Sequence, residues 1–227
     1  MKKQDYIFIA IVLVIFLPFF IWEGMMDFYI NFNKQHGIIT SFIKFAILAT
    51  GGELIGLRIK TGKYYKKGFG IFPRMIVWGF LGISIKIAFI IFASGTPIFL
   101  NYMGFNNSAE ILHANFSMEK LFISFCISLF LNIIFAPIMM TFHKITDIHI
   151  INNGGTLKGF FTPIKFREIF VNLNWDIQWN FVFKKTIPLF WIPAHTITFL
   201  LPADFQVLFA ALLGIALGVI LAIADFV

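Results

Sequence analysis

Residues 58–74 read RIKTGKYYKKGFGIFPR, with six basic residues and no acidic one, set between two long apolar runs. A cluster of one sign, flanked by segments longer than a buried core helix, holds a membrane loop on the cytoplasmic side. The composition points to the same class. Of 227 residues, 59% are hydrophobic and 13% charged, too little polar surface to cover a soluble globule but enough for a bundle in lipid. The net charge of +7 and the run Lys63-Tyr64-Tyr65-Lys66-Lys67 could neutralise and stack on a nucleic-acid strand. A loop this short is more simply a cytoplasmic anchor, so the partner expected is the lipid bilayer and not nucleic acid. The single cysteine, Cys126, lies in an apolar segment, which excludes a disulfide framework and a thiolate metal site.

Taken in order, the apolar runs predict an all-α, polytopic membrane bundle of about six helices forming one integral membrane domain over residues 1–227. The expected spans are 6–22, 38–57, 75–92, 121–142, 186–201 and 205–223, with cytoplasmic loops 58–74 and 143–185. The first reads as a retained helix rather than a signal peptide, since no small-x-small cleavage site follows before Glu23. Gly95-Thr96-Pro97 is expected to break the third helix and Pro137 to interrupt the fourth. The later part of the long loop, 164–183, mixes Phe and Trp with charges, as a helix at headgroup level does.

The basic residues test this count. Two lie at the N-terminus, six in the loop after helix two and six in the loop after helix four, while the alternate loops hold only Lys34 and Lys120. An even number of helices with both termini cytoplasmic puts all three basic regions on one side. On the last helix Ala210, Gly214, Gly218 and Ala222 recur every fourth residue, and Gly52 and Gly56 do the same on helix two. Such small faces let backbones approach in lipid, either within one bundle or at a homo-oligomer seam.

Trp191, Pro193, His195, Thr198-Phe199, Pro202 and Gln206 follow a pattern that resembles the C-terminal signature of the Mpv-seventeen family, also called the twenty-two-kilodalton peroxisomal membrane protein family. Trp191 to Phe199 and Pro202 to Gln206 keep the family's spacing. His195 stands where that signature has Gln, Thr198 where it has Asn, and Gln206 where it has Arg. Upstream, Phe135-Ala136-Pro137 looks like the family's Ala-Pro segment, with Asn132 at its Gln position. The resemblance covers roughly residues 121–227. It implies a small helical membrane protein of the kind found in peroxisomal and inner mitochondrial membranes, some members of which are thought to form pores. With a composition heavy in Phe, Ile, Lys and Asn, a bacterial relative in the plasma membrane is expected.

Function is sought in ionisable residues at membrane depth, since each costs at least about 2.5 kcal/mol near a helix centre unless paired or hydrated. Lys44, Glu53 and Lys86 qualify, with Asn132 and His195 as polar residues in mid-span. Lys44 and Lys86 fall at the same depth and could line a hydrated, anion-attracting cavity, with Glu53 as a cytoplasmic gate or counter-charge. Alternatively both lysines snorkel to the outer interface and Glu53 pairs with Arg58, Arg74 or a loop lysine. His143, Asp147 and His149 suggest a metal, but spacing supplies no further ligand, so a helix-terminal hydrogen-bond cluster is the expectation and no metal or cofactor is assigned. No Walker loop, Ser-His-Asp order or dinucleotide fingerprint is present, and Gly68-Phe69-Gly70 follows no strand. The reading is a non-enzymatic small pore or solute-permeating protein. The alternative is a membrane scaffold or partner-binding protein.

Overall fold

The computed structural model describes residues 2–224, with side chains as far as residue 219. It is all-helical, and no strand occurs among the described residues. Three helices are long and apolar enough to cross a membrane: α4 (Gly37–Thr61), α5 (Ile71–Tyr102), and a continuous helix Met118–Asn152. Before them come α1 (Lys3–Phe16), α2 (Pro18–Ile21) and α3 (Met25–Gln35), and α6 (Ser108–His113) follows α5. Met118–Asn152 comprises α7 (Met118–Phe130), a π-helical turn (Leu131–Phe135) and α8 (Ala136–Asn152). Next are the short helices α9 (Leu157–Phe160) and α10 (Phe166–Val171), a π-helical stretch (Ile177–Trp191) leading into α11 (Ile192–Leu200), and α12 (Ala203–Ala224).

Several expected boundaries shift. Gly95-Thr96-Pro97 does not break the third helix, which continues to Tyr102 with Pro97 inside it. Pro97 is buried and α6 folds back onto α5, so tertiary packing carries the helix through. Pro137 does not interrupt the fourth helix either. The π turn immediately before it adds a residue to the helical circuit, a common way to accommodate a local irregularity without ending the helix. Ser117 sets the start of that helix, its hydroxyl accepting the Lys120 amide at 3.1 Å. The long fourth connection begins only at Asn153, because residues 143–152 remain helical, and the fifth helix starts at Ile177 instead of 186. The expected first span is divided at Leu17, where Pro18 opens a new turn. The polar stretch after it forms α3.

α4 packs on α5 and α12, and α11 packs on α7. Glycine sets the closest approaches. A Cβ on Gly82 of α5 would come within 2.6 Å of the Ser41 carbonyl, and one on Gly52 of α4 within 2.8 Å of the Ile215 backbone on α12. Around these seams Phe45, Ile85, Phe89, Ile123, Ile127 and Phe199 form the core. α1 has no buried residue; its last residue, Phe16, packs against the core, and its other end is tied to α4. Asp5 there accepts Arg58 Nε at 2.7 Å and Nη2 at 2.9 Å, and Phe8 stacks on Tyr64 at 4.7 Å.

Candidate functional site

At the end of the bundle next to the basic loop, three helices meet through charge. Glu53 of α4 accepts Arg74 Nη1 at 2.6 Å and Trp78 Nε1 at 2.9 Å from α5, and His143 Nε2 of α8 lies 3.3 Å away. Arg74 is 6% exposed, and its second terminal nitrogen pairs with Asp147 of α8. Its Nε donates to the Phe69 carbonyl at 2.8 Å, and the guanidinium lies 4.3 Å over the Phe69 ring. Arg74 and Trp78 are four apart, as are His143 and Asp147, so each pair projects from one face of its helix. This is a largely buried charge cluster in which one guanidinium serves two carboxylates. Of the expected partners for Glu53, Arg74 is the one it meets, and Arg58 is held by Asp5. His149 turns away toward the Phe160 carbonyl, 3.1 Å from Nε2. No group of three His, Cys, Asp or Glu suited to a metal occurs among the described residues.

Above the cluster lies a cavity of about 330 Å³, walled by α4, α5, the π turn and α8, the Ile177–Leu200 helix, and α12. Its wall runs from Lys144, Asp147 and Glu53 at the basic end to Phe89 and His195 at mid-bundle, and most of it is apolar. Asn132 and His195 stand on it together, with Asn132 Nδ2 3.0 Å from His195 Nδ1 and 2.8 Å from the Ser128 carbonyl. Three buried polar atoms on this wall lack a hydrogen bond among the described residues: Asp147 Oδ1, whose contact is the ion pair with Arg74, Trp191 Nε1, and Gln178 Nε2 of a side chain only 6% exposed. On α12, Gly214 faces the chamber with no atom within 4 Å of where a Cβ would stand.

A second cavity, about 420 Å³, opens at the other end of the bundle. Lys86, Ser94, His113, Lys120 and Gln206 supply its polar wall, and no carboxylate among the described residues lines it. The turn between α11 and α12, residues 201–202, forms its rim. Phe89 belongs to both cavities. Its ring is packed against Phe199 at 5.0 Å and meets His195 edge-on at 5.7 Å, and both Phe89 and Phe199 are buried. One aromatic layer thus separates the two spaces.

The remaining sequence-selected residues distribute around this arrangement. Lys44 reaches neither cavity; its Nζ donates to Asn33 Oδ1 at 2.6 Å and lies 4.9 Å over the Tyr29 ring. Lys86 lies on the wall of the second cavity, its stem close to Gly37. The structure therefore does not bring Lys44 and Lys86 to one chamber. Phe135, Ala136 and Trp191 line the first cavity, Phe199 closes it, and Pro202 and Gln206 line the second. Pro137 and Pro193 sit in the first turns of α8 and α11. In the small-residue stripe, Gly218 packs on the Gly52 carbonyl while Ala210 and Gly214 face the chamber. Gly56 continues the α4 face one turn on, and the Ala222 side chain lies outside the described residues. Trp78, Phe89 and Gln178 were not selected from sequence. Only Trp78 carried a usable signal, its four-residue spacing from Arg74. Comparison with known proteins finds no matching family model, no matching curated protein and no matching solved structure.

Proposed function

We propose that the protein is a six-pass membrane protein, both termini cytoplasmic, that passes a small solute through its own bundle and is closed at Phe89 in the conformation described. The observation that carries this reading is the order in which three helices line the two cavities. α5 contributes Trp78, Ile85 and Phe89 to the inner chamber, then Lys86, Phe89 and Ala93 to the outer recess. The Ile177–Leu200 helix contributes Trp191 and His195, then Phe199 and Leu200. α12, running the other way, contributes Gln206 and Val207 to the recess, then Ala210 and Gly214 to the chamber. The two spaces are therefore stacked along the bundle axis with Phe89 between them. The prolines and π-helical stretches support the reading, since irregular backbone at membrane depth is tolerated where it is buried in protein or borders a cavity. The Mpv-seventeen resemblance points the same way, because its positions Trp191, Phe199, Pro202 and Gln206 all fall on the route. In this account Lys86 belongs to the outer vestibule, Lys44 braces α3 against α4, and the Glu53 cluster forms the floor of the inner chamber.

Cysteine accessibility tests the arrangement. In a Cys126→Ser background, a membrane-impermeant thiol reagent added outside labels Ala93→Cys in the recess but not Gly214→Cys in the chamber. Adding Phe89→Ala makes Gly214→Cys reactive from outside. Labelling of Gly214→Cys through an intact Phe89, or none after its removal in a folded variant, overturns the proposal.

A further inference from the structure

The outer recess has a chemistry of its own. Lys86 projects into it and makes no hydrogen bond or ion pair among the described residues. Lys120 shares the wall and gives Nζ only to the Ala114 carbonyl, at 2.8 Å, and His113 stands beside them. No acidic side chain among the described residues lines the recess with these groups. Asp204, two residues beyond the rim, is turned to α3, where Asn33 Nδ2 lies 3.4 Å from Oδ1 and Lys34 Nζ 3.8 Å from Oδ2. The opposing surface is apolar, from Phe89, Ile90, Leu112 and Phe199. Ile90 is 52% exposed and Ile91 beside it 59% exposed, so this apolar wall runs out onto the lipid-facing side of α5. The rim is the α11–α12 turn, which places the recess at the end of the bundle away from the Glu53 cluster.

A cationic floor open to solvent on one side and continuous with an acyl-contacting face on the other matches an anionic headgroup with its chain attached. Two lysine ammoniums are suited to phosphate as point charges with several donors each, and an unpaired lysine near membrane depth is stabilised by a counter-charge of this kind. We propose that the outer recess binds a phosphate group, presented on a phospholipid headgroup or free in solution, with Lys86 and Lys120 as its counter-charges and His113 as a neighbouring donor. The proposal stands on the recess alone and does not depend on solute passage past Phe89.

Native mass spectrometry of the full chain in detergent tests it, titrating phosphatidylglycerol and phosphatidylcholine separately and inorganic phosphate as competitor. Wild type is expected to retain one phosphatidylglycerol in preference to phosphatidylcholine. Lys86→Met and Lys120→Met each weaken that retention by about fivefold, the factor one cation near the surface contributes, and Lys86→Arg restores it. Where millimolar inorganic phosphate displaces the lipid one for one, the source is free phosphate; where it does not, the source is the headgroup. The proposal is overturned by equal retention of the two lipids together with no phosphate competition. It is also overturned by wild-type retention in both methionine variants, each confirmed folded by its thermal transition.

Discussion

Removal of Arg74 provides the strongest test of how the inner end is held. In Arg74→Met, Glu53 loses its 2.6 Å partner and Asp147 loses its closest cation, leaving two poorly solvated carboxylates with only Trp78, His143 and the distant Lys144 ammonium at 3.8 Å. Taking one partner from a buried pair costs about 3–5 kcal/mol, and because one guanidinium serves two acids, Arg74→Met is expected at the upper end. Glu53→Gln keeps the shape and leaves Arg74 paired with Asp147, so about 3 kcal/mol is expected. The double variant should lose less than the sum, since each change removes the same contact, with a coupling of roughly 1–3 kcal/mol. Equilibrium unfolding in detergent micelles gives all three values. A loss below about 1 kcal/mol in Arg74→Met, the level of an exposed ion pair, or strict additivity in the double variant, would refute the reasoning.

Other expectations follow from the same packing. Gly82→Ala drives a methyl group to within 2.6 Å of the Ser41 carbonyl and 2.7 Å of Phe45 Cβ, and should cost about 1–3 kcal/mol. Gly214→Ala, which meets nothing within 4 Å, should leave the thermal transition within about 0.5 kcal/mol of wild type. Lys44→Met removes the bond to Asn33 and should speed proteolysis around residues 25–35 without altering solute flux. The Asp5 carboxyl is held well below the usual carboxylate range, first by its hydrogen bond from Arg58 and then by the Lys2 amide. Its folded-state pKa is depressed, so the tether is at full strength above the unfolded value near 4 and weakens as pH falls below it. Amide exchange in α1 should therefore accelerate in acid, and Asp5→Asn should reproduce that acceleration at neutral pH.

Class and core were legible because lipid imposes simple arithmetic. Apolar runs located α4, α5, the Met118–Asn152 helix and α12, and the basic loop identified the neighbourhood of Glu53. Helix ends were less legible where proline led the reading. Pro97 and Pro137 are breakers by local chemistry, yet packing and a π turn carry both helices past them. Depth counting placed Lys44 and Lys86 at one level but could not say which way each faced, and the structure sends one to Asn33 and the other to the recess. Phe89 was illegible for a different reason. It is one of 32 phenylalanines, and only the three-dimensional order of wall residues distinguishes it from the rest. Gly214 was noticed for its spacing, which suggested helix packing, whereas its surroundings show open space.

The central claim, a route interrupted at one aromatic layer, is tested most directly by erythritol release from proteoliposomes carrying wild type, Phe89→Ala and Phe89→Ala with Gly214→Phe. All three must first be shown folded, because a Phe→Ala change in a core costs about 3–5 kcal/mol. The account predicts slow release for wild type, rapid release for Phe89→Ala, and a return to the wild-type rate when a ring at position 214 fills the chamber. Release from folded Phe89→Ala vesicles at the rate of protein-free vesicles would contradict it.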